Sequence, residues 1–140
     1  MTVNSNNSTS VVNNKLFDIL QYCESIISDT ENIEEFVNEE YLDNHEFFII
    51  RNHVEQIQEI ITKYDIDNNE SLLSDDIEEI EEFRIEIYQC AKYILESYLE
   101  DKNDNENNLD DNEKFVIKCF RDISESVSII SDLIKNVESV

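Results

Sequence analysis

The 140 residues include no glycine, no proline and no tryptophan. Left-handed turns, two-residue hairpins and the loops that wrap phosphate groups all draw on glycine, because a residue without Cβ takes positive φ at little cost. Its absence argues against most β-rich folds and against Gly-loop nucleotide sites. Helices need neither glycine nor proline, so the expectation is an all-α fold with no sheet. Bases are scarce as well: 10 Lys and Arg stand against 34 Asp and Glu, for a formal net charge of −24. Charge on this scale costs stability through self-repulsion, favours solubility and steers encounters with basic surfaces. It disfavours direct contact with nucleic acid or with an anionic membrane. Long apolar runs are missing too. None approaches the roughly 20 residues that cross a bilayer, and the amino-terminal MTVNSNNSTS lacks the basic and apolar regions of a signal peptide.

Cysteine is present but sparse. Cys23, Cys90 and Cys119 are odd in number, far apart and seated among apolar residues. That distribution fits buried, reduced thiols in a cytoplasmic protein better than a disulfide framework.

What the chain does have is helical periodicity. The stretch Ser74–Asp101 carries Ile77, Ile80, Phe83, Ile87, Ala91, Ile94 and Tyr98 at steps of three and four, which places them on one helix face. Residues 1–10 are polar and Asn/Ser-rich and read as a disordered tail, leaving 11–140 as one domain. A first seam runs through Val12, Leu16, Ile19, Leu20, Cys23, Ile26 and Ile27 to about Ser28. There Ser28, Asp29 and Thr30, with Glu31 three after Ser28, spell a capping box and predict a fresh helix start. A short helix with Ile33, Phe36, Val37 and Tyr41 would follow, and Asp43-Asn44 would break or kink the chain before the next.

Phe47, Ile50, Val54, Ile57, Ile61 and Tyr64 form a further seam, and Val116, Cys119, Ile123, Val127, Ile130, Ile134 and Val137 the last. Short linkers at Asp65–Ser74 and Asp101–Asp110 imply antiparallel neighbours. The architecture expected is a compact four-helix-type bundle, one helix being split near Asp43-Asn44. An intertwined helical dimer stands as the alternative.

Acid is concentrated in two places. Nine acids and no base lie between Tyr64 and Phe83, and eight acids with one lysine between Glu96 and Glu113. The candidate partner-binding face takes in Asp65, Asp67, Glu70, Asp75, Asp76, Glu78, Glu79, Glu81 and Glu82. Glu96, Glu100, Asp101, Asp104 and Glu106 extend it. Carboxylates three or four apart on a helix stand about 5–6 Å apart at Cβ, close to the repeat of phosphates along a nucleic-acid strand. Tyr64, Tyr93 and Tyr98 are candidates for aromatic anchors at its rim.

In charge and helicity the chain resembles the small acidic nucleic-acid mimics of phage type that block restriction enzymes, CRISPR effectors or other nucleases, and the immunity proteins that plug nucleases. The resemblance spans the whole chain and involves no motif. It implies a non-enzymatic inhibitor, without cofactor or metal, whose partner is a basic nucleic-acid-binding protein such as a nuclease or defence effector in the host cytosol. The alternative is a helical adaptor or homodimer that makes contact through its apolar seams.

A second alternative is a degenerate EF-hand-like calcium-binding protein. Asp65, Asp67, Asn69, Ser71 and Asp76 fall at positions one, three, five, seven and twelve of a calcium loop, and Asp101, Asn103, Asn105 and Asn107 repeat its start. Glu70 and Glu106, however, occupy the position where glycine makes the turn, and Asn112 replaces the final Glu of the second loop. His45 and His53 lack the HExxH and Glu-x-x-His spacings, and read as solvent-facing or hydrogen-bonded side chains. No serine or cysteine has an evident base partner in the sequence.

Overall fold

Leu16, Ile19, Cys23, Ile26, Thr30 and Ile33 follow one another at steps of three and four, and every one of them is buried. They line a single helix, α1 (Val3–Phe36), followed by α2 (His45–Thr62), α3 (Ser74–Lys102) and α4 (Asp111–Asn136). The computed structural model describes residues 3–36, 45–64, 72–102 and 110–136, with side chains described from Lys15 in the first segment, to Glu100 in the third and to Lys135 in the fourth. No β-strand occurs among the described residues. The all-α expectation holds.

Each helix packs on two neighbours in a closed ring: α1 on α2, α2 on α3, α3 on α4 and α4 back on α1, the last pair having the most extensive contact. Side-chain pairs fix the directions. Glu34 near the end of α1 takes both terminal nitrogens of Arg51 near the start of α2, and Glu81 early in α3 meets Ser131 late in α4. Phe36 and Phe115 meet edge to face, with ring centroids 5.2 Å apart, where α1 ends and α4 begins. All neighbours are therefore antiparallel, as short connections favour. The seams read from sequence meet at the centre within one chain: Phe47, Ile50, Val54, Ile57 and Ile61 from α2, Ile80, Ile87, Ala91, Ile94 and Tyr98 from α3, and Val116, Cys119, Ile123, Val127, Ile130 and Ile134 from α4. Each Ile or Leu so buried contributes about 1.5–3 kcal/mol of transfer free energy, which opposes the charge repulsion.

Two expectations need correction. The helix does not restart at Ser28: α1 is continuous for 34 residues. The reason is Thr30, which occupies a seam position with no exposed surface. Its hydroxyl donates to the Ile26 carbonyl one turn back at 2.7 Å, so it works as a buried β-branched residue and not as a turn former. The short separate helix is thus the last part of α1, while Val37, Tyr41 and Asp43-Asn44 lie outside the described residues. Secondly, α1 begins at Val3, within the stretch 1–10 assigned to a disordered tail on composition.

The α2–α3 turn has a brace that the sequence reading did not foresee. The Tyr64 hydroxyl donates to Asp76 in the first turn of α3 and accepts the Leu73 backbone N–H at 3.0 Å. Leu72 is fully buried beside it. The two helix ends are tied together independently of residues 65–71.

Candidate acidic docking face

The apolar seam of α3 turns its opposite side outward. Steps of three and four from Asp75 lead through Glu78, Glu79, Glu82, Glu86, Gln89, Tyr93, Glu96 and Glu100, all of them exposed. This outward face carries seven carboxylates, and Lys92 is the exposed base at its edge. Six of the seven were expected from sequence. Glu86 was not, although its place three and four residues beyond Glu82 and Glu79 would have supplied the signal. Two exposed apolar side chains sit in the same region, Ile85 and Tyr93, the second 52% exposed.

The other expected members separate into two groups. Asp76 and Glu81 belong to α3 but turn away from the outward face. Asp76 is half-buried and takes the Tyr64 hydroxyl. Glu81 accepts Arg84 Nε at 3.1 Å and Nη2 at 2.8 Å, and the Ser131 hydroxyl of α4 at 2.8 Å. Arg84 first, and Ser131 after it, hold the Glu81 carboxyl below its ordinary value against partial burial. Both acids brace the fold. Asp65, Asp67, Glu70, Asp104 and Glu106 lie outside the described residues, as does the side chain of Asp101.

The aromatic anchors need correction as well. Tyr98 is a core residue at 4% exposure and cannot reach a partner. Tyr64 is half-buried and committed to the α2–α3 brace. Of the three, Tyr93 is the one that lies open.

Of the remaining chemical groups, His53 and the cysteines are held in the bundle. His53 pairs through Nε2 with Glu86 and lies 5.0 Å, centroid to centroid, from Phe83, while its Nδ1 is buried without a hydrogen-bond partner. His45 is exposed at the start of α2. The three cysteines are free. Burial, with Glu24 nearby, pushes the Cys23 thiol up to about 12. Burial, with Asp29 and Asp122, takes Cys119 to about 11, and burial, with Glu46 and Glu86, raises Cys90. Thiols so shifted stay protonated at neutral pH and are poor nucleophiles.

Between α1 and α4 a shallow groove of about 360 Å³ brings Asp29 opposite Asp122 and Glu125. Burial first, and then Asp122, push the Asp29 carboxyl up to about 6, with Lys118 partly offsetting them. Among the described residues no group of three or more His, Cys, Asp or Glu side chains is arranged to hold a metal ion. None of the described helices is long and apolar enough to cross a membrane. Of the calcium pattern, the described positions are Asp76, which is bound to Tyr64, and Asn112, which is exposed on the first turn of α4. The other ligand positions of both loops lie outside the described residues or, for Asp101, lack a described side chain.

Fold and surface together define an antiparallel four-helix bundle with a carboxylate-lined outer helix. No protein-family model, no curated protein and no solved structure matches the chain.

Proposed function

We propose that this protein acts by binding, without catalysis, and that the outward face of α3 docks on a basic surface that otherwise holds DNA or RNA. The observation that carries this reading is the row of seven exposed carboxylates from Asp75 to Glu100, with Ile85 and Tyr93 open among them. At 1.5 Å per residue the row is about 37 Å long, enough to span a groove built for a short stretch of nucleic acid. A protein groove lined with Lys and Arg gains by exchanging its small counterions for such a polyanion. Complementary charge speeds the encounter, and Tyr93 and Ile85 supply apolar hold once the faces meet. The partner would be a nuclease or other nucleic-acid-processing effector, with its substrate displaced, as in an anti-defence inhibitor.

The test separates surface acids from bracing acids. The variant Glu78→Lys/Glu79→Lys/Glu82→Lys changes only exposed positions, so its helicity should match the parent by circular dichroism. Tagged parent protein in host lysate should retain a nucleic-acid-processing partner that moderate salt or added DNA releases, and the variant should lose that partner. Retention by the triple variant, or a partner indifferent to both salt and DNA, would shift the reading to a helical adaptor.

A further inference from the structure

The α3–α4 groove gathers bases in a chain that has few of them. It has a volume of about 610 Å³ and is lined by Arg84 and Lys92 from α3 and Lys135 from α4. Three of the chain's ten bases meet there, across 51 positions of sequence. Ser124, Ser128 and Ser131 follow at steps of four and three along the α4 wall, and Tyr88 lies between the two cationic residues of α3. One acid, Asp132, is also part of the lining.

Two of the three cations are left out of the ion pairs, and the third, Arg84, is paired with Glu81. Neither Lys92 nor Lys135 takes part in the ion pairs formed among the described residues, although acids outnumber bases more than threefold in this chain. Arg84 is bonded to Glu81 through Nε and Nη2, and Nη1 takes no part in those bonds. The bond to Glu81 fixes the guanidinium at the groove wall. Lys135 also has a structural use, since it lies near Glu81 and in the last turn of α4, where a cation complements the helix dipole. Lys92 has no such use at the far end.

The geometry points to a binding site for an elongated small molecule bearing two or more phosphate groups. Arg84 and Lys92 are eight residues apart, about 12 Å along the axis, so the cations mark the two ends of a strip and the Ser124 and Ser128 hydroxyls its side, that of Ser131 being bonded to Glu81. Lysine, arginine and hydroxyl donors together suit phosphate oxygens, and the Tyr88 ring offers an apolar wall for whatever joins the phosphates. The volume lies within the range of small-molecule sites, about 300–1,000 Å³. At physiological ionic strength screening acts over about 8 Å, so the groove's own charges, Glu81 and Asp132 included, govern a ligand already inside it more than the overall negative charge does. This groove borders the acidic face, with Ile85 and Gln89 at the shared edge, but its proposed ligand does not depend on the function proposed for that face.

Inorganic tripolyphosphate is the probe, with orthophosphate as the single-group control. Both would be titrated into the full chain at physiological ionic strength while amide resonances are followed. Tripolyphosphate should give saturable shifts centred on Ser124, Ser128 and Ser131, with affinity at least about tenfold above orthophosphate. Lys92→Gln and Lys135→Gln, both at exposed positions, should each weaken binding, and the double variant should abolish it with the spectrum otherwise retained. Absence of saturation, equal affinity for the two anions, or saturation that survives in the double variant would overturn the proposal.

Discussion

Two short segments carry the same helix-start spelling, Ser28-Asp29-Thr30-Glu31 in α1 and Asp110-Asp111-Asn112-Glu113 at the head of α4, and they behave in opposite ways. At the second, both reciprocal bonds of a capping box form. Glu113 N–H donates to Asp110 Oδ1 at 2.8 Å, and Asp110 N–H to Glu113 Oε1 at 3.2 Å. The first helical bond, Lys114 N–H to the Asp110 carbonyl at 3.0 Å, follows directly. At the first segment the helix runs straight through. What differs is the sequence upstream. Before Ser28 an apolar seam is already under way, and Thr30 continues it to Ile33 with no loss of register. Before Asp110 stands DKNDNENNL, with no apolar residue until Leu109. A capping box starts a helix where no seam is already passing through it.

Proline separates the two segments most sharply. Asp29 and Asp111 hold the same place, one residue after the first letter of the box. Proline fits the first position of a helix but breaks a helix interior at a cost of about 3 kcal/mol or more. Asp29→Pro should therefore lower stability in urea by at least that much, while Asp111→Pro should change it by less than about 1 kcal/mol. Comparable losses at both sites would put a helix start where α1 is continuous. Alanine gives a smaller contrast. Asp110→Ala should cost about 1 kcal/mol through the lost cap, whereas Ser28→Ala, at an exposed interior position, should leave stability unchanged or raise it by a few tenths of a kcal/mol.

Charge removal at the same pair should act with opposite signs. The Asp29 carboxyl is raised from 3.8 to about 6 in the fold. The folded chain therefore holds this proton more tightly than the unfolded chain, and ionisation weakens the fold. That contribution to stability is lost as pH rises through about 4 to 6 and regained as pH falls. Asp29→Asn should stabilise the protein above pH 6 by about 1 kcal/mol, allowing for solvent screening of a half-exposed group, and the gain should fade toward pH 4. Asp111→Asn should instead cost about 0.3–1 kcal/mol, because a negative charge in the first turn complements the helix dipole. Thermal melts across that pH interval would read both.

The seams were legible because they are local. With no glycine or proline to interrupt them, steps of three and four identified the core of all four helices, and Ile87, Ile94, Ile123 and Ile130 lie where the pattern put them. Thr30 was misread because its type favours turns, and only the helix packed against it reveals that its position is interior. The candidate site was legible where exposure follows from the same period, as at Glu78, Glu79, Glu82, Glu96 and Glu100. It was not legible where a partner lies far along the chain. Glu81 is engaged by Ser131 fifty residues on, Tyr64 by Asp76 across a turn, and the three cations of the α3–α4 groove come together only through the antiparallel packing of two helices.

The placement of Arg84 and Lys92 on the edge of α3 that meets α4, beside an outward face of seven carboxylates, makes that helix electrically lopsided about its own axis. A net charge sets how strongly an approaching cationic surface is drawn in, but such transverse separation also exerts a torque. Any basic partner would turn the bundle as it arrives, presenting the outer edge of α3 and holding the serine-lined side away. Orientation, and not only attraction, is written into one helix.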